Sequence, residues 1–237
     1  MGDTFTFKRY ELKFLVTGEQ KEKLIKLIDD HMVSDKHGRS TISNIYYDRD
    51  DYLLIRRSLN KDIYKEKLRL RSYGRPNENS KVFLEIKKKY KGIVYKRRIS
   101  MTEEEACRFL EGKYMPESTQ IEREIEYFRN VYKPLAPKMY ISYEREAYFG
   151  KEDPDFRLTF DENILWRNTD LNLCGENYGN ELLTPGLSVM EIKVRTGIPL
   201  WLTKFLTTEK IYKTSFSKYG RAYEELMKRK KENSYVA

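Results

Sequence analysis

The chain is poor in the residues that build metal cages and disulfide frameworks. Its 237 residues include two cysteines, Cys107 and Cys174, and two histidines, His31 and His37. There is no CxxC and no Cys/His cluster, which argues against a zinc site. Two isolated cysteines fit a reducing compartment. No Ser-His-Asp or Cys-His set is available for nucleophilic catalysis. The glycines form no phosphate-cradling loop, so P-loop chemistry is excluded. No apolar run approaches the roughly 20 residues of a membrane span, and the opening does not read as a signal peptide. The expectation is a cytoplasmic protein. Met1-Gly2 with Thr6 formally matches a myristoylation pattern, but so short a match carries little weight. No internal repeat, low-complexity stretch or linker appears, so residues 1–237 are read as a single domain.

Charge is abundant instead. Of all residues 35% are charged, and 46 Lys and Arg against 37 Asp and Glu leave +9. A positive balance suggests a polyanionic partner, while so many acids argue against a simple nucleic-acid arm. Aromatics make up 14%, with 19 tyrosines, enough for a folded core.

Period-two alternation predicts strands over 5–16, 43–48, 64–73, 81–89, 93–101, 138–148, 155–160 and 188–195. Thr17 with Gln20, and Thr102 with Glu105, are capping boxes that open helices. Further helices are predicted over 51–58, around Ile121, Ile125 and Phe128, and over 199–207 and 216–231. Lys91-Gly92 reads as a hairpin turn, 34–40 as a loop and 162–187 as irregular.

Six of these strands share a feature. One face is apolar and the other carries Arg, Lys or Glu: Arg9, Glu11, Lys13; Lys65, Lys67, Arg69, Arg71; Glu85, Lys87, Lys89; Lys96, Arg98; Tyr143, Arg145; Glu191, Lys193. Arg157, Thr159 and Asp161 are likewise in phase. A sheet with one wet face also alternates, but wet strand faces favour Thr, Ser and Gln. Here they are almost purely ionic. An eight-stranded antiparallel β-barrel would turn such faces inward, with helices packed outside. A cation-lined interior needs an anionic ligand, and a triphosphate suits Arg forks and Lys point charges. The expected class is therefore α+β with a closed eight-stranded barrel.

Arg9-Tyr10-Glu11-Leu12-Lys13-Phe14, Lys67-Leu68-Arg69-Leu70-Arg71 and Leu84-Glu85-Ile86-Lys87 resemble the triphosphate tunnel metalloenzyme superfamily. Tyr143-Glu144-Arg145, Arg157 with Asp161, Glu191-Ile192-Lys193 and Ser215-Phe216-Ser217-Lys218-Tyr219 resemble its vacuolar transporter chaperone, or polyphosphate polymerase, branch. The ordered set spans nearly the whole chain. The resemblance implies transfer of the γ-phosphoryl group of ATP onto polyphosphate, with Mn²⁺ or Mg²⁺ as cofactor. It places phosphates on Lys13, Lys67, Arg69, Arg71, Lys87 and Lys96. Arg145, Arg157, Lys193 and Lys218 extend that set, and Tyr143 and Ser217 add hydrogen bonds. Catalysis falls to Lys218, Arg145 and Arg157. The metal falls to Glu191, with Glu11 and Glu85 as further candidates; each could equally be an ion-pair partner. One departure is Ser215, where the family often carries Lys.

Expected partners are ATP, triphosphate or polyphosphate, together with a separate membrane subunit, and no nucleic acid. A tunnel-type triphosphatase and a non-catalytic polyphosphate-binding module are the alternatives. Asp161 either caps the next turn or has a functional role, Lys65 and Lys89 are read as solvent-facing strand ends, and both histidines as surface residues.

Overall fold

The computed structural model describes residues 10–91, 93–113 and 119–234. Outside them lie residues 5–9 of the predicted opening strand, Arg9 of its motif, the Met1-Gly2 and Thr6 pattern, and Gly92 of the predicted turn.

Alternation becomes sheet, and the capping boxes become helix starts. β1 (Tyr10–Thr17) leads into α1 (Gly18–His31), β2 (Met32–Ser34), β3 (Ser40–Asp48) and α2 (Leu53–Leu59). A meander follows: β4 (Tyr64–Tyr73), β5 (Lys81–Tyr90) and β6 (Ile93–Thr102). Next come α3 (Glu103–Glu111), α4 (Gln120–Val131), β7 (Ala136–Gly150), β8 (Arg157–Arg167), β9 (Asn180–Glu181) and β10 (Leu187–Val194). The chain closes with α5 (Leu200–Thr208), β11 (Lys213–Thr214) and α6 (Lys218–Ser234). Thr17 and Thr102 each accept from the third helical N–H, while Gln20 and Glu105 reach back to the cap. Thr119 with Glu122 forms a third such box, not anticipated from the sequence.

Two differences from expectation have physical causes. β8 runs on through residues expected to be irregular. It does so by placing Asn163 at φ 48, a left-handed conformation that Asn tolerates, and the strand continues through buried Ile164 and Trp166. The second concerns closure. The eleven strands follow the path β11-β1-β10-β8-β7-β3-β4-β5-β6, with β2 on β7 and β9 on β8. Among the described residues the sheet is not closed by hydrogen bonds, so the pairings do not show the closed eight-stranded barrel expected. β11 pairs with Lys13 and Phe14 on the outer edge of β1, which ends the path there.

Two compact units share the chain. Unit 1 comprises residues 1–40, 143–164 and 183–216; unit 2 comprises 41–142, 165–182 and 217–237. In unit 1, Phe14, Val16, Leu158, Phe160, Met190 and Ile192 pack with Leu24 and Ile28 of α1 and Leu202 and Leu206 of α5. In unit 2, Leu68, Leu70, Val82, Leu84 and Ile86 pack with Phe109 of α3 and Ile125 and Phe128 of α4. Each apolar strand face is thus covered by helices, as the alternation implied. The opposite faces keep the charges. No helix among the described residues is long and apolar enough to cross a membrane.

Candidate functional site

Directly opposed residues of an antiparallel pair share a face, so the registers assemble each charged face row by row. In unit 2, Lys67 of β4 faces Lys87 of β5, which faces Lys96 of β6. The next row is Tyr46, Arg69, Glu85 and Arg98, and Asn44 stands opposite Arg71.

Glu85 organises this face. It is 1% exposed and takes Arg69 Nε at 2.8 Å on Oε2. Lys96 Nζ stands 2.7 Å from Oε1, as an ion-pair contact rather than a directed hydrogen bond. Arg71 Nε lies 3.9 Å from Oε2 and donates to Asn44 Oδ1 at 2.9 Å. Burial alone would push the Glu85 carboxyl up, but Arg69, Arg71 and Lys96 outweigh it and bring it down to about 2.

Arg69 is held from the other side too. Its NH1 donates to Tyr46 Oη at 3.1 Å. The Tyr46 ring stacks on Tyr219 at 4.6 Å, and Tyr219 Oη donates to Asp48 Oδ2 at 2.9 Å. Asp48 is fully buried, and its Oδ1 and Oδ2 also accept from the backbone N–H groups of Leu54 and Ile55. The carboxylate therefore locks α2 and the first turn of α6 onto β3. That turn carries two predicted residues. Ser217 Oγ accepts from Lys67 Nζ at 3.1 Å and from the Gly220 N–H at 3.2 Å, and Lys218 follows at the helix start.

Unit 1 carries the remaining predicted residues. Lys13 of β1 faces Glu191 of β10, which faces Thr159 of β8. Beside that row, Glu11 faces Lys193, which faces Arg157. Lys193 Nζ lies 3.0 Å from Glu191 Oε1 and Lys13 Nζ 3.9 Å from Oε2. Lys13 also donates to the Phe216 carbonyl at 2.7 Å. Arg145 forks onto Asp161, Nε to Oδ1 at 2.6 Å and NH2 to Oδ2 at 2.7 Å, and leans over the Tyr143 ring. Burial opposes the Arg145 charge, but Tyr143, Asp161 and Glu191 together hold its pKa raised. Asp161 is fully buried in mid-strand. It is the counter-ion of Arg145 rather than a turn cap. Arg157 is exposed and lies over Phe149 at 4.9 Å.

The predicted residues therefore gather on two faces: Lys67, Arg69, Arg71, Lys87, Lys96, Ser217 and Lys218 in unit 2, and Glu11, Lys13, Tyr143, Arg145, Arg157, Glu191 and Lys193 in unit 1. Glu85 belongs to the first. Both histidines are exposed, as read, with His31 stacked on Trp201. Lys89 is exposed, while Lys65 is half-buried. Asn44, Tyr46, Asp48 and Tyr219 were missed. The alternation over 43–48 already puts the first three on one face; what it cannot reveal is that they meet the charged face.

Among the solved structures, a protein from Bacillus halodurans described as a candidate adenylate cyclase is similar, with a TM-score of 0.56 and 16% identity over 89% of this chain and 94% of that one. A Hippeastrum protein described as a candidate adenylyl cyclase with a dominant triphosphatase activity reaches a TM-score of 0.55 at 16% identity, over 92% of this chain and 96% of that one. These likenesses show a shared fold. No curated protein matches. The VTC domain family model matches residues 8–227, nearly the whole chain and both charged faces; the chain belongs to the VTC domain family.

Proposed function

We propose that the protein is a polyphosphate polymerase. The γ-phosphorus of ATP loses its bond to the β–γ bridging oxygen and gains one to a terminal oxygen of a polyphosphate chain, and ADP leaves. Such a transfer requires positioning and charge neutralisation rather than a nucleophilic side chain, which suits a chain without a catalytic triad.

One observation carries this reading: Lys67, Lys87 and Lys96 stand directly opposite one another on adjacent strands. Like charges so placed destabilise a sheet, and a polyanion reverses the sign of that effect. On unit 2, Lys67, Lys87 and Lys96 hold successive phosphates as point charges. Arg69 and Arg71, aimed by Glu85, Tyr46 and Asn44, present planar forks, and Lys218 stands by the transferred group. On unit 1, Lys13, Arg145, Arg157 and Lys193 supply cations and Tyr143 a hydroxyl.

A divalent cation fits only in one form. No group of three or more His, Cys, Asp or Glu among the described residues could hold a metal ion. Glu85 has Arg69 and Lys96 on its oxygens, which suits it to aiming cations. Glu191, with Glu11 diagonal to it on the same face, suits a Mg²⁺ or Mn²⁺ taken mainly by phosphate oxygens and by one or two carboxylates. When bound, the ion would neutralise charge on the transferred phosphoryl group.

Hydrolysis of a triphosphate is the second reading, favoured by the activity described for the Hippeastrum fold relative. Water then replaces the phosphate chain as acceptor on the same cations. The two are separated by incubating the purified protein with ATP and Mn²⁺ or Mg²⁺. Long chains support the polymerase, free phosphate alone the triphosphatase, and neither product removes both. Glu191→Ala is expected to cut either turnover by about 100- to 1,000-fold, with a midpoint lowered by several degrees through the loss of its pairs with Lys13 and Lys193 but the protein still folded at assay temperature; an unchanged rate ends the metal role of Glu191.

A further inference from the structure

Thr159 occupies the middle of the charged face of unit 1. Its cross-strand neighbour is Glu191, Lys13 completes the row, and Arg157 and Asp161 flank it on β8. The residue is 7% exposed, yet its Oγ1 has no hydrogen-bond partner. A buried hydroxyl in that condition costs stability and asks for a reason. Ser72 and Ser142 share the condition, but Ser72 lies in phase with the apolar Leu68 and Leu70 of β4, and Ser142 lies in phase with Tyr140 of β7, on the strand face opposite Tyr143 and Arg145. Thr159 differs in lying in phase with the charged face of unit 1.

Local chemistry does not explain the hydroxyl. The next row on this face is Leu15, Val189 and Asp161, so the sheet accepts apolar side chains there, and Val would fill the Thr volume without the desolvation cost. The neighbouring carboxylates are engaged: Asp161 takes both prongs of Arg145, and Glu191 Oε1 takes Lys193. What the site lacks is an acceptor for one more donor, among several cations.

We propose that Thr159 Oγ1 donates a hydrogen bond to a non-bridging oxygen of the triphosphate or polyphosphate held on this face, which makes Thr159 a substrate-binding residue. The inference rests on the phosphate-binding reading above and deepens it. The ligand-free protein carries the cost of the unsatisfied hydroxyl, and the bound protein recovers it.

The two halves of that statement move in opposite directions, which makes the test specific. Tripolyphosphate affinity by calorimetry and the thermal midpoint without ligand are measured for the wild type, Thr159→Val and Thr159→Ser. The expected result for Thr159→Val is a midpoint equal to or a few degrees above wild type, with affinity reduced about ten-fold or more, as for loss of a hydrogen bond to a charged acceptor. Thr159→Ser is expected to retain most of the affinity. A lowered midpoint in Thr159→Val would mean that the hydroxyl is satisfied within the protein or by an internal water, and would overturn the proposal. Wild-type binding matched by Thr159→Val overturns this inference and leaves the phosphate-binding reading standing. Absence of binding in the wild type overturns both.

Discussion

The two charged faces solve the same problem differently. On unit 1 the signs alternate: Lys13 faces Glu191, Glu11 faces Lys193, and Arg145 forks onto Asp161. Four cations, Lys13, Arg145, Arg157 and Lys193, meet three carboxylates, Glu11, Asp161 and Glu191. On β4, β5 and β6 of unit 2, Glu85 is the one carboxylate among the described residues of the face that carries Lys67, Arg69, Arg71, Lys87, Lys96 and Arg98. Asp48 of β3 is taken up by Tyr219 and the α2 backbone. The first face is close to self-neutral. The second carries an excess of cations around Glu85, which the proposed polyanion would offset. Salt bridges therefore balance charge in one unit and leave cations in excess in the other, where the proposed function seats a polyanion, even though both strand sets read alike as alternating charge.

The largest test of that contrast is Glu85. Its folded pKa, near 2, lies below its ordinary 4.5. A depressed carboxyl contributes stability above pH 4.5 that is lost as pH falls toward 2, because the unfolded chain takes up the proton first. With two and a half units of difference the contribution is on the order of 3 kcal/mol. Glu85→Gln removes it and leaves Arg69, Arg71 and Lys96 to repel, so an acid titration of stability should lose its step between pH 4.5 and 2. At neutral pH the midpoint should fall by about 10 °C. Tripolyphosphate should raise the midpoint of Glu85→Gln more than that of wild type, since the ligand supplies the missing negative charge. An equal ligand-induced rise would mean that Glu85 is not the stand-in for the anion.

A smaller effect comes from exchanging one lysine on each face. Lys13→Gln takes a partner from Glu191 and a donor from the Phe216 carbonyl, so its midpoint should drop by several degrees. Lys87→Gln relieves a like-charged row, so its midpoint should hold or rise slightly, while tripolyphosphate affinity falls about ten-fold. Equal destabilisation in the two variants, by differential scanning fluorimetry, would erase the distinction between the faces.

Much of this was legible in the sequence because sheet period and face are local properties. β4 begins and ends where alternation places it, at Tyr64 and Tyr73, and the described cations of β4 and β5 chosen for their phase share one side. Thr17 and Thr102 announce their helices through side chains three residues away. The rest is set by partners distant in the chain. Nothing near Asp48 tells that Tyr219 will close on it 171 residues later, nor that Asp161 will be consumed by Arg145 instead of capping a turn. Closure was not legible for the same reason. Whether a sheet joins its own edge depends on what else takes that edge, and here the two residues of β11 do so. The lysine row likewise needs register. Alternation gives Lys67, Lys87 and Lys96 a face, but only pairing sets them side by side.

The mildest effect is also the most diagnostic of unit 2. Burial draws the Lys96 ammonium down to about 8; Glu85 opposes that pull, and Arg69 and Arg71 add to it. Its side chain keeps 44% of its surface accessible, so water moderates these effects and an incoming phosphate can restore the proton. The sign follows directly. A cation that loses its proton near pH 8 holds phosphate below that pH and weakly above it. Tripolyphosphate affinity should fall as pH rises through 8, by at most about ten-fold per unit for one linked proton. Calorimetry at pH 8.5 in two buffers of different ionisation enthalpy should show proton uptake on binding. Lys96→Arg, always charged, should flatten the pH profile and abolish the buffer dependence. Uptake that persists in Lys96→Arg would place the linked proton on another group and leave unit 2 without its pH-tuned lysine.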